Sequence, residues 1–347
     1  MADVRELAQQ IQRSRDIALK FAGQSSDKHL IKLLVKAHND LNQQIGEHAR
    51  MGRSEQFTAV HAQAVMAQLK SVMMPLTRGL SSLVVDTTSK VAKASAQQAI
   101  NYVKMAEDTF HGIGAASALQ LHEAMIVDRV ANGVRASQMR RLATSGEAGS
   151  DLQGVALGKA GIIQRYGMNV VGKFEEVLQQ RYLTRKPWGE VRDELVAQSP
   201  FLTGKEPGVA TTWAERILRT ETMYASNAAN KECMVDMNQS LGDMVNILCA
   251  TFDERTGSDS YAVHGQIRRL NEPFQSWFGS YMHPPNRPND REIVVAHRMS
   301  WPLPPTFTPK TEGEVASRWK AEGRKGAPPS RPNMSTIPRD QFGKRAE

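Results

Sequence analysis

Apolar residues recur at helical spacing through the first part of the chain. Leu30, Leu34, Ala37, Leu41 and Ile45 follow one another at steps of three or four positions, which is the spacing of one helix face. Two more stripes of this kind are formed by Val4, Leu7, Ala8 and Ile11 and by Ile100, Val103, Phe110, Ile113, Ser117, Leu121 and Ala124. Proline, which interrupts helices, is almost missing from this region. The pattern therefore predicts that residues 1–143 form a domain of long helices packed on each other.

A glycine-rich stretch follows this helical region and predicts a hinge at residues 144–161. Its glycines are Gly146, Gly149, Gly154, Gly158 and Gly161. Glycine favours turns and loops over helix interiors, so the stretch is the predicted domain boundary.

The next region changes from helical to strand-like spacing. A helix is expected from the Thr212/Glu215 capping box to about Gln239, with Gly242 closing it. Residues 245–252 and 293–296 are short and β-rich, and they predict two strands. Residues 162–301 are thus expected to be a small domain of helices and a sheet. The fold class is α+β and mostly α.

The last segment has a different composition from the rest. Residues 302–347 hold eight of the 16 prolines and have a net charge of +4, half of the +8 of the whole chain. Few large apolar residues are available to bury there, so an extended, basic tail is expected. The cations expected to contact a partner or DNA are Arg318, Lys320, Arg324, Lys325, Arg331, Arg339, Lys344 and Arg345.

Composition excludes several classes of protein. The chain of 347 residues has two cysteines, Cys233 and Cys249, too few for a disulfide framework or a four-cysteine zinc site. The charged start of the chain is not typical of a signal peptide, and no run of about 18 apolar residues predicts a membrane span. The basic balance favours a polyanionic partner without identifying one.

Common catalytic signatures are missing from the sequence. It has no phosphate-binding P-loop, no dinucleotide-binding glycine loop, no nucleophile elbow and no H-E-x-x-H zinc motif. His264, His283 and His297 lie in the C-terminal half without a second ligand at the short spacing that zinc sites use. We therefore expect no catalytic residue, no metal and no cofactor.

A series of short motifs runs in order through the C-terminal half. The series is an R-T-E triplet and a following asparagine on a helix, a D-x-R-T turn after a strand, an H-G step, and arginines in the closing strand. It covers about residues 165–301 and falls on Arg219, Thr220, Glu221, Asn227, Asp253, Arg255, Thr256, His264, Gly265, Arg291 and Arg298. This series resembles the phage Mu F-like family, also called phage head morphogenesis or minor head proteins.

This resemblance implies a structural protein of a phage particle. Such proteins are made in the bacterial cytoplasm and built into the procapsid at the portal vertex or capsid interior. The implied partners are the portal protein, the major capsid or scaffolding protein and double-stranded DNA, with no membrane involved.

The chain departs from the family where many relatives have cysteine pairs that suggest a structural zinc. Here the corresponding positions carry Gly257, Ser260, His297 and Met299. We therefore expect the domain to be held by packing and polar pairs, with an aromatic core of Trp277, Phe278, Tyr281 and Trp301.

The charged motif residues also predict specific pairs. Arg219 and Glu221 lie two positions apart and face different sides of a helix, so each needs a partner elsewhere. Asp253 or Asp259 is the expected partner of Arg219, and Arg255 that of Glu221.

Two other functions remain open. One is a DNA-binding architectural protein unrelated to capsids. The other is an effector similar to ADP-ribosyltransferases, which use Arg, Ser/Thr and Glu in separated motifs. The adjacency of Arg219 and Glu221 and the missing E-x-E turn disfavour the second.

Overall fold

The predicted fold class, mostly α with a small antiparallel sheet, is confirmed. The computed structural model describes residues 29–48, 59–119, 122–142, 208–287 and 290–343, with isolated positions between 9 and 23 and between 176 and 190. The stripe at 4–11, the hinge at 144–161, the first part of the predicted 162–301 domain, Lys344 and Arg345 lie outside the described residues.

Long helices form the first half, as the apolar stripes predict. The helices are α1 (Ile31–His48), α2 (Ala59–His111), α3 (Ala115–Ala118) and α4 (Glu123–Leu142). At 53 residues, α2 is about 80 Å long. Leu30 and Leu34 are buried, and Leu33 of α1 lies so close to Gly79 that a Cβ there would come within 2.8 Å of its Cδ2. The two helices therefore pack against each other around this glycine.

The predicted stripe from Ile100 to Ala124 is wrong as one continuous helix. Gly112 and Gly114 have φ angles of 100° and 96°, in the left-handed region that ends helices. The chain turns there, and the side chain of Ile113 is 95% exposed.

The second half begins with α5 (Gly208–Leu241), which packs along α2. Small residues line the contact and allow close approach: Ala92, Ala96 and Ala99 on α2 and Ala225 and Ala229 on α5. The Ser95 and Ser226 hydroxyls share a hydrogen bond of 2.8 Å across it. Gly242, with a φ of 77°, ends α5 as expected.

A three-stranded antiparallel sheet packs on these helices. The elements after α5 are β1 (Met244–Cys249), α6 (Ser258–Val263), β2 (Ile267–Arg269), β3 (Phe274–Ser276), β4 (Gly279–Tyr281), β5 (Ile293–Arg298) and α7 (Glu312–Ala321). The strand order is β2-β1-β5, and β3 and β4 form a separate hairpin. Every residue of β1 is buried, which explains why its sequence, apolar at every position except the buried Asn246, does not alternate between apolar and polar residues.

The aromatic core expected near the sheet is present in part. Trp301 and Tyr281 are buried, whereas Phe278 is about half exposed. Trp277 is half-buried and lies edge-on against Trp319, with ring centroids 5.6 Å apart.

The expectation of an extended tail is wrong for residues 302–343. This segment contains α7 and two 3-10 turns, and it buries Phe307, Val315 and Ile337. Helix α7 starts at a capping box between Thr311 and Glu314. The segment folds with few apolar anchors because most of its contacts with the rest of the domain are polar and are made by its arginines.

Candidate functional site: a polar network between helix and sheet

Asn227 of the predicted motif covers the free edge of β5. Its Oδ1 accepts a hydrogen bond from the Val294 N–H at 2.8 Å, and its Nδ2 donates to the Glu292 carbonyl at 3.0 Å. Asn230, one helical turn later, donates to the Val294 carbonyl at 3.4 Å. Buried backbone groups need partners, and α5 provides them here from its side chains. The asparagine therefore docks the helix on the sheet.

The D-x-R-T residues form a tight turn after β1. The Asp253 carboxylate accepts from the Arg255 N–H at 2.9 Å, and the Thr256 hydroxyl accepts from the Asp253 N–H at 3.0 Å. Arg291 binds the same carboxylate with both of its terminal nitrogens, with an Nη2–Oδ1 distance of 2.7 Å. This bidentate contact lowers the pKa of Asp253 well below its usual range. The turn is thereby tied to the start of β5.

The predicted partners of Arg219 and Arg255 are wrong. Arg219 is about half exposed and pairs only loosely with Glu215, one helical turn away at 3.5 Å. Arg291 occupies Asp253, and Asp259 forms its ion pair with Arg287.

The other residues of the triplet and the turn also differ from expectation. Arg255 is exposed, and its side chain makes no ion pair within the described ranges. Thr220 bonds inside α5, to the Arg216 carbonyl at 2.7 Å. Glu221 is buried on the same helix.

His264 and Gly265 form the seat for the segment after Trp301. The His264 Nδ1 accepts from the Ala250 N–H at 3.1 Å, and its Nε2 donates to the Thr306 carbonyl at 3.0 Å. Both ring nitrogens are thus used, in the neutral Nε2–H tautomer. Gly265 has a φ of 77°, and a Cβ there would lie 2.4 Å from the Phe307 carbonyl oxygen. This close contact with the Phe307 backbone therefore explains why the position after His264 is a glycine.

Arg298 joins the end of β5 to the long helix α2. Its guanidinium binds Asp243 through Nε at 2.5 Å and contacts the Glu107 carboxylate. Glu107 is buried, and its other oxygen lies 2.7 Å from the His111 Nδ1. The network links α2, the turn after α5 and the sheet, so the last arginine of the motif series fixes the sheet against the helical part.

Sequence reasoning missed a pair of buried carboxylates at the start of β5. Asp290 and Glu292 are both buried, and the Tyr281 hydroxyl donates to Glu292 at 3.2 Å. Burial and the neighbouring Asp290 raise the pKa of Glu292 to about 8, while Arg287 opposes this shift. Among residues 289–292 the sequence identified Arg291 alone as a candidate, because nothing in a sequence indicates that Asp290 and Glu292 are buried.

His297 also lies in an unexpected environment. It is fully buried among the rings of Trp301, Phe307 and Phe342, with centroid distances of 5.4, 5.6 and 5.7 Å. Burial lowers the pKa of His297 to about 3, so the ring is neutral at physiological pH. This position, where the resemblance drawn from sequence implies a zinc ligand, belongs to an aromatic core.

Four of the eight predicted tail cations bind the protein itself, which differs from the expectation that they reach a partner or DNA. Four arginines donate to main-chain carbonyls or pair with an acid within the domain. These are Arg318 to Thr256 and Glu254, Arg331 to Ala262, Arg339 to Phe307 and Gly265, and Arg324 to Glu322. Lys320 and Lys325 are exposed. Guanidinium groups offer several fixed donors, which suits them to hold irregular backbone.

A groove of about 610 Å³ lies between the β3 hairpin and the last segment. Its lining includes Arg268, Glu272 and Trp277 from the region of the hairpin and Pro332 and Thr336 from the last segment. The Arg268 side chain is almost fully buried and donates to the Pro273 carbonyl at 3.0 Å. The groove is therefore built by the protein's own main chain and polar side chains.

The described residues also bear on metal binding and on membrane insertion. Within the described ranges, no three His, Cys, Asp or Glu side chains are arranged to hold a metal ion. No helix in those ranges combines the length and apolar character needed to cross a membrane. Comparison with family models, curated proteins and solved structures found no match for this chain.

Proposed function

We propose that this protein is a minor head protein of a tailed phage, acting in procapsid assembly at the portal or the capsid interior. The observation that carries the proposal is the ordered series of motifs from Arg219 to Arg298. Its support from the fold is that Asn227, Asp253, His264 and Arg298 each join two elements of one domain.

A structural role fits these residues better than catalysis. Asp253 is bound by Arg291 on both oxygens, and both ring nitrogens of His264 are in hydrogen bonds. A general acid or base needs a free site for a substrate proton. Arg219 is exposed while Glu221 is buried, which disfavours the ADP-ribosyltransferase alternative.

The long helices are the proposed surface for the portal, the major capsid protein or the scaffolding protein. Helix α2 is about 80 Å long and carries exposed side chains along its whole length, such as Met74. A rod of this length presents side chains over a distance that several capsid or portal subunits span.

DNA contact is a weaker part of the proposal. Four of the eight cations expected to reach DNA bind the protein itself. Of the other four, Lys320 and Lys325 are exposed and Lys344 and Arg345 lie outside the described residues, so few of the described tail charges are left to neutralise phosphates. We therefore place the protein in the particle as a structural component and do not favour an independent DNA-binding architectural protein.

The test is co-assembly. The protein is produced together with the portal, scaffolding and major capsid proteins of the phage that encodes it, and procapsids are purified by sedimentation. We expect it to sediment with procapsids in low copy number and to be lost when the portal gene is omitted. Failure to sediment with procapsids would contradict the proposal. Strong, steeply salt-dependent binding to double-stranded DNA in the same preparation would favour the architectural alternative.

A further inference from the structure

The edge strand β2 is covered by a segment 68 positions further along the chain. The Ile267 N–H donates to the Met334 carbonyl at 3.0 Å, and the Thr336 N–H donates to the Ile267 carbonyl at 3.4 Å. These bonds form a single parallel bridge between Ile267 of β2 and Ser335. We call residues 331–343 the strap. It covers an edge that would otherwise expose unpaired backbone groups.

Directional polar contacts, rather than a large apolar surface, hold the strap. Arg331 and Arg339 of the strap donate to carbonyls of the body at Ala262, Gly265 and Phe307, and Arg268 of the body donates to the strap carbonyl of Asn333. The apolar anchors of the strap are Ile337, which is buried, and Phe342, which is partly buried against the His297 ring. None of these contacts requires that strap and body belong to the same chain.

An exposed linker precedes the strap. Residues 323–330 are exposed at every position except Pro328, which is half-buried. Gly323 and Gly326 both have φ angles in the left-handed region, at 72° and 76°. Eight residues can reach roughly 26–29 Å when extended. The linker is therefore largely exposed, and few contacts hold it: Arg324 pairs with Glu322 and lies over the Trp319 ring, and the Ser330 carbonyl accepts from the Trp277 Nε1–H.

We propose that the strap is exchanged between copies of this chain, so that the strap of one copy adds to β2 of a second copy. The partner is a second copy because the acceptor site matches this chain's own strap. It offers a seat for Ile337, carbonyls for Arg331 and Arg339, and a donor for Asn333. Reciprocal exchange gives a closed dimer, and head-to-tail exchange gives rings or open chains. The inference does not depend on the proposed phage function.

Cysteine cross-linking tests the exchange on the full chain. The Thr336 hydroxyl of the strap is hydrogen-bonded to the Glu272 carboxylate of the body, so Glu272→Cys and Thr336→Cys place thiols across the junction. The native cysteines Cys233 and Cys249 are buried. The two single variants are mixed, concentrated and treated with a short thiol-reactive cross-linker. We expect covalent dimers that contain one chain of each variant.

Two controls make this result decisive. A single chain carrying both substitutions reports how readily the cross-link forms within one molecule. Thr336→Cys mixed with Ser82→Cys, at an exposed position on α2, reports random collision. Cross-linking inside the double variant, with no mixed dimer above the Ser82 background at the highest soluble concentration, would overturn the proposal.

A change of linker length gives a second, independent measurement. Deleting residues 323–326 makes it harder for the strap to reach its own β2, and shortened hinges favour exchange. Light scattering should show a larger dimer fraction than the parent chain at the same concentration. Four added glycine and serine residues should leave the dimer fraction at or below that of the parent. A shortened chain that stays monomeric with the parent melting temperature would also overturn the proposal.

Discussion

The side-chain amide of Asn227 takes the place of a neighbouring β-strand for Val294. It pairs with the Val294 N–H at 2.8 Å and with the Glu292 carbonyl at 3.0 Å, which are the groups that a further strand would bind. The helix α5 thus closes the β5 edge of the sheet, and the strap closes the β2 edge. Both edges are covered by parts of the chain that are not regular strands.

Replacing Asn227 should be costly because two buried backbone groups lose their partners. Each unsatisfied buried group costs about 1–3 kcal/mol, so Asn227→Ala should lower the free energy of unfolding by about 2–6 kcal/mol. Asn132→Ala, at an exposed helix position, is the matched control and should change it by less than about 0.5 kcal/mol. Denaturant unfolding measures both, and equal effects of the two variants would contradict the capping role of Asn227.

Alanine substitutions at Gly265 and Gly326 distinguish the cost of backbone strain from the cost of a steric clash. Both glycines have a positive φ, at 77° and 76°, so alanine at either position costs about 1–2 kcal/mol in conformational strain. Only at Gly265 would the new Cβ meet backbone, 2.4 Å from the Phe307 oxygen. Gly265→Ala should therefore lower the melting temperature markedly more than Gly326→Ala. Similar losses would show that the segment around Phe307 moves aside at little cost.

Arg291 should matter more than Arg219, contrary to what the sequence alone predicts. The Arg291–Asp253 pair is bidentate but keeps some solvent contact, so Arg291→Ala should destabilise the protein by about 1 kcal/mol. Arg219→Ala removes a loose, exposed contact and should cost less than about 0.5 kcal/mol. Thermal unfolding of the two variants at neutral pH decides. A larger loss for Arg219→Ala would restore the pair predicted from sequence.

Glu292 should make the stability fall as pH rises. Its folded pKa of about 8 lies above the ordinary value of 4.5, so the folded state keeps a proton that the unfolded state loses. Stability from this group is full below pH 4.5 and is lost between 4.5 and 8, by up to about 1.4 kcal/mol per pH unit.

Glu292→Gln, which mimics the protonated carboxyl, should therefore stabilise the protein at pH 8 and leave it nearly unchanged at pH 4.5. Glu254→Gln, at an exposed position, serves as the control and should show no such difference between the two pH values. Melting curves at both pH values test this. A Glu292→Gln variant that is less stable than the parent chain at pH 8 would show that the carboxylate is ionised and paired in the fold.

The sequence predicts regular elements well where the apolar spacing is long. The stripe from Leu30 appears as a helix because its apolar spacing matches the one helix face that is buried. The strand near Val245 appears because its short, mostly apolar run is buried at every position. The short strands β2, β3 and β4 were missed, since three residues are too few to show a period.

The polar contacts could be predicted only in part. Asn227 and Arg298 were identified as important, but their partners were not, because Val294 and Glu107 lie 67 and 191 positions away. The tail was misjudged for a related reason. Its anchors are arginine bonds to carbonyls, as at Arg339, and every residue carries a carbonyl, so no sequence pattern marks the acceptor.

Because the strap is synthesised after β2, the β2 edge of the sheet stays uncovered for part of the time that the ribosome needs to make the chain. A ribosome adding about 5–20 residues per second needs roughly 3–13 s to pass from Ile267 to the start of the strap at Arg331, 64 positions later. Throughout that interval the nascent sheet has one open edge, and polysomes hold many such edges close together. Chains interrupted between β2 and the strap should accumulate in the insoluble fraction, while chains that include the strap escape it.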